Sequence, residues 1–256
     1  MALKKIEFTA KNVKAFSGWL KKFVSIDTAL LLEIDEVNSI FLAKTYNEER
    51  SVVKFSKIKF DEAGFTVTPS SNPKRIKVGI YNISRLMKIM DQFGSEEFSF
   101  VLNYDELIDT SEFVGDSIVM KNKNLKITVE LTSLNIFKYI SDDLFKNTIS
   151  QLDNVVANFK LSTSNIEQAN SLCVLDNESK FMEFKKDSGI YVTGKTFELL
   201  IAADDKSTSK AAINIFKEQF ASVDAENYDV QMGDDRLVFT SDNLSSHIVI
   251  SMVEKD

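Results

Sequence analysis

Cysteine, histidine, proline and glycine are all scarce in this 256-residue chain: one Cys, one His, two Pro and eight Gly. The single thiol, Cys173, can form no internal disulfide and no multi-cysteine metal site, which fits a reducing compartment. The lone histidine, His247, falls in a terminal strand pattern, where a surface or hydrogen-bonded strand role is the ordinary reading, so no Cys–His or His-based catalytic set is legible. No apolar run approaches the roughly 20 residues that cross a bilayer, and the start MALKKIEFTA lacks the apolar core of a signal peptide. The expectation is a cytoplasmic protein with no membrane partner. Positive charge is also in deficit, with a formal net charge of −7, the wrong sign for binding nucleic acid by bulk electrostatics. The deficit is uneven, however. Divided near residue 148, the first part carries 21 Lys and Arg against 20 Asp and Glu, the second 10 against 18.

What is present is apolar residues, 44% of the chain, enough for a sizeable core in one large or two smaller domains. The periodicity reads mostly as strand. Lys5–Thr9 alternates, Ala10–Val24 switches to helical period, and Thr28–Ile34, Ser39–Tyr46 and Ser51–Phe60 return to strand. Arg75–Tyr81 then precedes a helix over Asn82–Phe93, with Asn82 as N-cap and Gly94 at the C-terminal end. Strands follow at Glu97–Asn103, Glu112–Met120 and Leu125–Leu131. Past a polar connector the order restarts: Val156–Leu161, a helix Thr163–Leu175 with Thr163 as N-cap, then Lys180–Lys186, Gly189–Thr193 and Phe197–Ala203. A last round comprises Ala212–Phe216, a short helix near Lys217–Val223, and strands Tyr228–Met232, Arg236–Ser241 and His247–Val253. The pattern predicts four βαβββ units, an α+β fold, arranged as a domain over 1–132, a connector over 133–154 and a domain over 155–256.

The helices divide charge from core. Val13, Phe16, Leu20, Phe23 and Val24 share one arc of the first helix, with Lys11, Lys14, Lys21 and Lys22 opposite. In the second, Ile83, Leu86, Met87, Met90 and Phe93 form the buried stripe, while Arg85 and Lys88 face outward. Lysines on one amphipathic helix usually serve only to solvate it. Helices opening successive units of one repeat would instead share a side of the sheet and pool their charge. The third helix adds none, with Ser164, Glu167, Gln168 and Ser171 outward; the fourth adds Lys217, preceded by Lys206 and Lys210.

Gly189–Thr196 matches the phosphate-loop pattern G-x-x-x-x-G-K-[ST]. The pattern needs a curling backbone and a following helix. Here Ile190, Tyr191 and Val192 are strand formers, and Leu199–Ala203 begins too soon for a crossover helix. A hairpin strand is expected, with no nucleotide. The acidic pairs Asp204-Asp205 and Asp234-Asp235 fall at turns, where carboxylates are common, so no metal, cofactor or catalytic residue is assigned. Trp19 reads as a packing residue.

With that element order, and with IEFTAKNVKAFSGWLKKFVSIDTALLLEID, RIKVGIYNISRLMKIMDQF and INIFKEQF to HIVISMV, the chain resembles DNA sliding clamps, the family of proliferating-cell nuclear antigen, and most closely those of T4-like phages. The resemblance covers essentially the whole chain. It implies a non-enzymatic processivity factor, a homotrimeric ring of two-domain subunits with helices lining one side of curved antiparallel sheets around duplex DNA. The partners it implies are a DNA polymerase and a clamp loader, in the cytoplasm of a host cell if the protein is viral. By position it makes Lys11, Lys14, Lys21, Lys22, Arg85, Lys88 and Lys217 the DNA-facing cations, contacting phosphate loosely and without sequence preference. Ring closure would join Leu125–Leu131 to Phe197–Ala203, with Ile127, Val129, Leu199 and Ile201 at the joint. Leu144 and Phe145 are implied for a partner-peptide pocket; pinning the connector to the core is their alternative role. Two other readings stand beside the clamp: a monomeric DNA-binding processivity accessory protein, and a β-rich viral structural protein.

Overall fold

In a computed structural model, which describes residues 4–67, 72–107, 111–137, 152, 154–203 and 210–253, one order of elements recurs four times: a strand, a helix and three strands. The first round is β1 (Lys4–Ala10), α1 (Lys14–Val24), β2 (Leu30–Asp35), β3 (Ile40–Tyr46) and β4 (Val52–Lys59), followed by a short extra strand, β5 (Phe65–Val67). The second is β6 (Arg75–Ile80), α2 (Ile83–Asp91), β7 (Phe98–Glu106), β8 (Phe113–Lys121) and β9 (Lys126–Glu130). The third is β10 (Ala157–Leu161), α3 (Thr163–Leu175), β11 (Phe181–Lys186), β12 (Gly189–Thr193) and β13 (Glu198–Ala203). The fourth is β14 (Ala211–Phe216), α4 (Lys217–Phe220), β15 (Tyr228–Met232), β16 (Arg236–Ser241) and β17 (Ser246–Ser251). By proximity the chain divides into Met1–Thr45 with Phe55–Ser141, and Tyr46–Lys54 with Asp142–Asp256. Residues 46–54, which the sequence places in the first domain, therefore group with the second unit.

In the first unit, alternation along β1 turns Ile6, Phe8 and Ala10 inward and leaves Lys5, Glu7 and Thr9 exposed. β1 lies antiparallel between β7 and β5, with Phe8 opposite Phe100 and Val67. Phe8 is fully buried, its ring 5.2 Å from that of Phe60 and 5.9 Å from that of Phe41. β2 pairs with β3 and β6, and β6 meets β8 in parallel only at Ile76–Phe113 and Lys77–Val114. Onto this core α1 lays Phe16, Trp19, Leu20 and Phe23, and α2 lays Ile83, Leu86 and Met90. The two helices pack against each other. Trp19 is a packing residue: its ring stacks on Phe16 and its Nε1 donates to Ser56 Oγ at 2.9 Å.

One helix start and one cap differ from expectation, the start of α1 and the cap of α3, whose bounds are those expected. α1 begins at Lys14, not Ala10, because Ala10 is the last rung of β1, opposite Phe98, and Asn12 then takes a φ of 55° that no helix accepts. α2 starts as the sequence predicts: Asn82 Oδ1 accepts from the Arg85 amide at 2.8 Å. Replacing Asn82 by alanine should cost about 1 kcal/mol of stability, read as a lower urea midpoint with unchanged slope.

In the second unit, antiparallel strands run in the orders β10-β15-β16-β17 and β13-β12-β11-β14. Phe184 of β11 meets Phe159, Phe220 and Phe239 in the core. The α3 cap is Ser162, one residue before the expected Thr163: its Oγ accepts from the Asn165 amide, and Asn165 Oδ1 accepts in return from the Ser162 amide, each at 3.2 Å. α3 and α4 also touch. The segment Tyr46–Lys54 is held by a buried ion pair from Lys54 Nζ to Asp224, 2.8 Å, and by the Ser251 amide, which donates to Ser51 O at 2.8 Å.

Candidate nucleic-acid interface and sheet edges

Because α1 and α2 bury one stripe each in a common core, their remaining arcs are left to solvent, and on those arcs the cations lie. Lys14, Lys21 and Lys11 just ahead of α1 are exposed, and Lys22, Arg85 and Lys88 are exposed or half-buried. Lys21 and Lys22 stand in the last turn of α1 and Lys88 in that of α2, where the carbonyl end of the helix dipole favours positive charge. Neither helix has an acid in its first turn, and α2 holds only Asp91, at its end. An anionic polymer passing these helices meets side chains on flexible stems over a rigid core, suited to loose phosphate contact and not to reading bases.

Lys217 does not belong to that set. Its side chain is only 13% exposed, and its Nζ lies 3.0 Å from Asp176 Oδ2 and donates to the Asp176 carbonyl as well. Asp176 caps the C-terminal end of α3 and is the centre of a buried network: its carboxylate also accepts from the Lys195 amide at 2.9 Å and from Thr196 Oγ1 at 3.1 Å. This network accounts for the phosphate-loop match. Gly189–Thr193 is strand β12, the Gly194 amide donates to Phe197 O to close a hairpin, and a Cβ at Gly194 would collide with Asp176 and Phe197. The loop amide and the threonine hydroxyl that would cradle phosphate in a nucleotide site are given to a carboxylate of the chain itself.

Burial alone would raise the Asp176 pKa, but hydrogen bonds from Lys217, the Lys195 amide and Thr196 outweigh it and hold the carboxyl below its ordinary value. A depressed folded pKa contributes stability that is present above the unfolded value, about 3.9, and is lost as pH falls through the folded one. Wild type and Asp176→Asn should therefore differ in urea stability by a constant amount above about pH 5, and by progressively less below about pH 4. A difference independent of pH down to acid unfolding would rule out the charged network.

The other side chains with catalytic potential lie apart. Burial pushes the Cys173 thiol pKa up, and its Sγ is 3.8 Å from Met182 Sδ, whereas His247 Nδ1 lies 3.3 Å from Thr240 Oγ1. Asp234 accepts from Asn154 and Asp235 pairs with Arg236 at 2.9 Å, as turn residues do. Leu144, Phe145, Asp204, Asp205 and Lys206, and most of the connector, fall outside the described residues. Among those described, no helix is long and apolar enough to cross a membrane.

Two strands end their sheets. β9 pairs with β8 alone, from Lys126–Lys121 to Glu130–Ser117, and β13 pairs with β12 alone, so each presents one edge without a strand partner among the described residues. Ile127 and Val129 on β9 are half-buried, as is Ile201 on β13. Leu200, next to Ile201, is 53% exposed. Apolar side chains beside an open ladder of backbone donors and acceptors make a surface that pairs with another strand.

No protein-family model matches the chain, and neither does any curated protein sequence. Solved structures of sliding clamps match its fold along nearly its full length. The structure of the C-terminal region of FEN-1 bound to PCNA of A. fulgidus aligns with a TM-score of 0.62 at 12% identity, covering 98% of this chain and 100% of that one. PCNA of Entamoeba histolytica gives 0.63 at 12%, covering 98% and 99%. The Helicobacter pylori beta clamp bound to a DNA ligase peptide gives 0.66 at 9%, covering 98% of this chain and 67% of that one. The chain thus has the length of a PCNA and about two thirds that of a beta clamp. At such identities the likeness is one of fold: this chain has the fold of sliding clamps.

Proposed function

We propose that the chain is one subunit of a DNA sliding clamp, a closed ring that encircles duplex DNA and tethers a DNA polymerase to it, acting as a scaffold and not as an enzyme. One observation carries this reading: the α1 and α2 surfaces gather cations in a chain of net charge −7 that has the fold of clamps. Lys11, Lys14, Lys21, Lys22, Arg85 and Lys88 face the DNA backbone in this assignment, and an acidic remainder keeps DNA off the outside. Three copies close head to tail, the β9 edge of one meeting the β13 edge of the next through Ile127, Val129, Leu199 and Ile201. A clamp loader opens the ring, and partner peptides dock near Leu144 and Phe145. Among clamps the reading is closest to the compact form of T4-like phages, working in the host cytoplasm.

The test is topological. Native mass measurement at micromolar concentration should give three chains, and negative-stain images should give rings. Protein loaded on nicked circular DNA should remain bound through a high-salt wash and be lost once the circle is linearised. Loss at the same rate from circle and line would refute encirclement and favour a monomeric DNA-binding accessory protein.

A further inference from the structure

We infer that Gly18 is a DNA-positioning residue: it leaves helix backbone bare between three lysines, and a phosphate of the duplex seats there against α1. The inference rests on the proposed cationic surface. It adds where on that surface the DNA comes closest and which residue sets the distance.

Gly18 is the fifth of the 11 residues of α1 and lies on its exposed arc. After proline, glycine is the poorest residue for a helix interior, since it gives up the most backbone freedom on folding and packs nothing in return. At the other seven glycines the fold supplies a reason: each either takes a positive φ or would bring a Cβ within 3.1 Å of another group. At Gly18 the backbone is right-handed helix, and a Cβ would meet nothing within 4 Å. Neither conformation nor packing inside the chain requires glycine here, and alanine would fit with a gain in stability. A glycine kept on an open helix face at that cost leaves room for the close approach of a group from outside.

The surroundings of the gap identify that group. On a helix surface the neighbours of position 18 are positions 14, 15, 21 and 22, here Lys14, Ala15, Lys21 and Lys22. Lys14 and Lys21 are exposed and have no ion pair among the described residues. No Asp or Glu occurs between Glu7 and Asp27. A gap one residue wide with positive charge on both sides along the axis fits a compact anion, and the anion that a duplex presents is its phosphate. In mid-helix the glycine amide is already bonded to the preceding turn, so Gly18 contributes distance and not a donor. A phosphate resting on its Cα is within reach of three flexible ammonium stems at once. A side chain at 18 would hold the phosphate farther out, where attraction through water and salt is weaker. Among the described helices only α1 contains a glycine; α3, with 13 residues, has neither a glycine nor a cation. Open backbone and positive charge thus coincide on α1 alone.

The test uses the full chain. Gly18→Ala should melt about 2–4 °C above wild type. Gly18→Leu should melt no lower than wild type, yet bind a short labelled duplex about fivefold more weakly at moderate salt, with a slope of log affinity against log salt shallower by about 0.9, the share of one phosphate. Fluorescence anisotropy across a salt series reads both quantities. Ser164→Leu, the same bulk on the cation-free helix α3, should leave affinity and slope unchanged. Lys14→Glu/Lys21→Glu tests the surface itself and should weaken binding. If that reversal weakens binding while Gly18→Leu matches wild type in affinity and slope, the seat is overturned and the cationic surface stands. A Gly18→Ala variant that melts below wild type also overturns the seat, because the glycine then serves the fold. A wild type that binds no duplex, or a lysine reversal without effect, overturns the cationic surface and the seat together.

Discussion

Alanine at Asp224 should destabilise the second unit by about 3–5 kcal/mol, the usual cost of removing one partner from a buried ion pair. Lys54 Nζ lies 2.8 Å from Asp224 Oδ1 and 3.0 Å from the Ser222 carbonyl, with the lysine side chain 0% and the aspartate 13% exposed. Truncating the carboxylate leaves the buried Lys54 ammonium beside the Ser222 carbonyl but without its counter-charge, which is costly to bury. For a chain of this size each kcal/mol lowers the melting temperature by about 2–4 °C, so a fall on the order of 10 °C is expected. The reverse change, Lys54→Met, keeps the unbranched stem and leaves the charge on the partner that still reaches solvent, so it should cost less. Thermal melts and urea titrations of both variants decide the matter. If Lys54→Met proves the worse of the two, packing of the stem and not pairing of the charge holds the segment Tyr46–Lys54 in place.

That segment shows what the sequence left hidden. Alternation made β2, β3 and β4 legible as strands, but nothing in 46–54 announces that its lysine pairs with an aspartate 170 positions away. The same holds for Lys217. On a helical wheel it is an outward cation; its burial follows from Asp176, 41 positions earlier, which in the sequence is only the residue after a helix. Long-range pairs of this kind have no periodicity and so leave no local signal. Local chemistry, by contrast, was readable. Asn82 stands where its side chain meets the Arg85 amide, and the aliphatic stripe of α2 is buried as its spacing requires. Ser162 takes the place of Thr163 as the α3 cap because Asn165 lies three residues after it and returns the hydrogen bond. β5 escapes notice for a different reason. It is only three residues long and follows Gly64, whose φ of 83° makes the turn that returns the chain to β1, and whose carbonyl accepts from the Lys11 amide at 2.8 Å. The βαβββ order survives these local errors because it rests on the alternation of period across whole elements, which a shifted boundary does not disturb.

The cationic surface leads to the prediction of largest functional effect. Reversing Lys14, Lys21 and Lys88 to glutamate replaces three positive charges by three negative ones on the outward arcs of α1 and α2, with the core stripes untouched. Stability should change by no more than about 0.5 kcal/mol per site, as for surface substitutions elsewhere. DNA engagement should not survive so well. Every phosphate deprived of its cation takes about 0.9 from the slope of log affinity against log salt, so three of them make the dependence shallower by roughly 3 and lower affinity by an order of magnitude or more at moderate salt. On a primed circle, polymerase run length should fall accordingly, and more steeply for the triple variant than for any single one. Lys217→Glu separates the surface from the scaffold. Placing a second acid beside Asp176 should lower the stability of the second unit and leave the salt slope unchanged, because Lys217 already spends its charge inside the protein. Full run length and an unaltered salt slope in the triple variant would mean that DNA passes some other face. An equal loss of slope on Lys217→Glu would mean that the Asp176 pair opens in the presence of DNA and that Lys217 rejoins the cationic set.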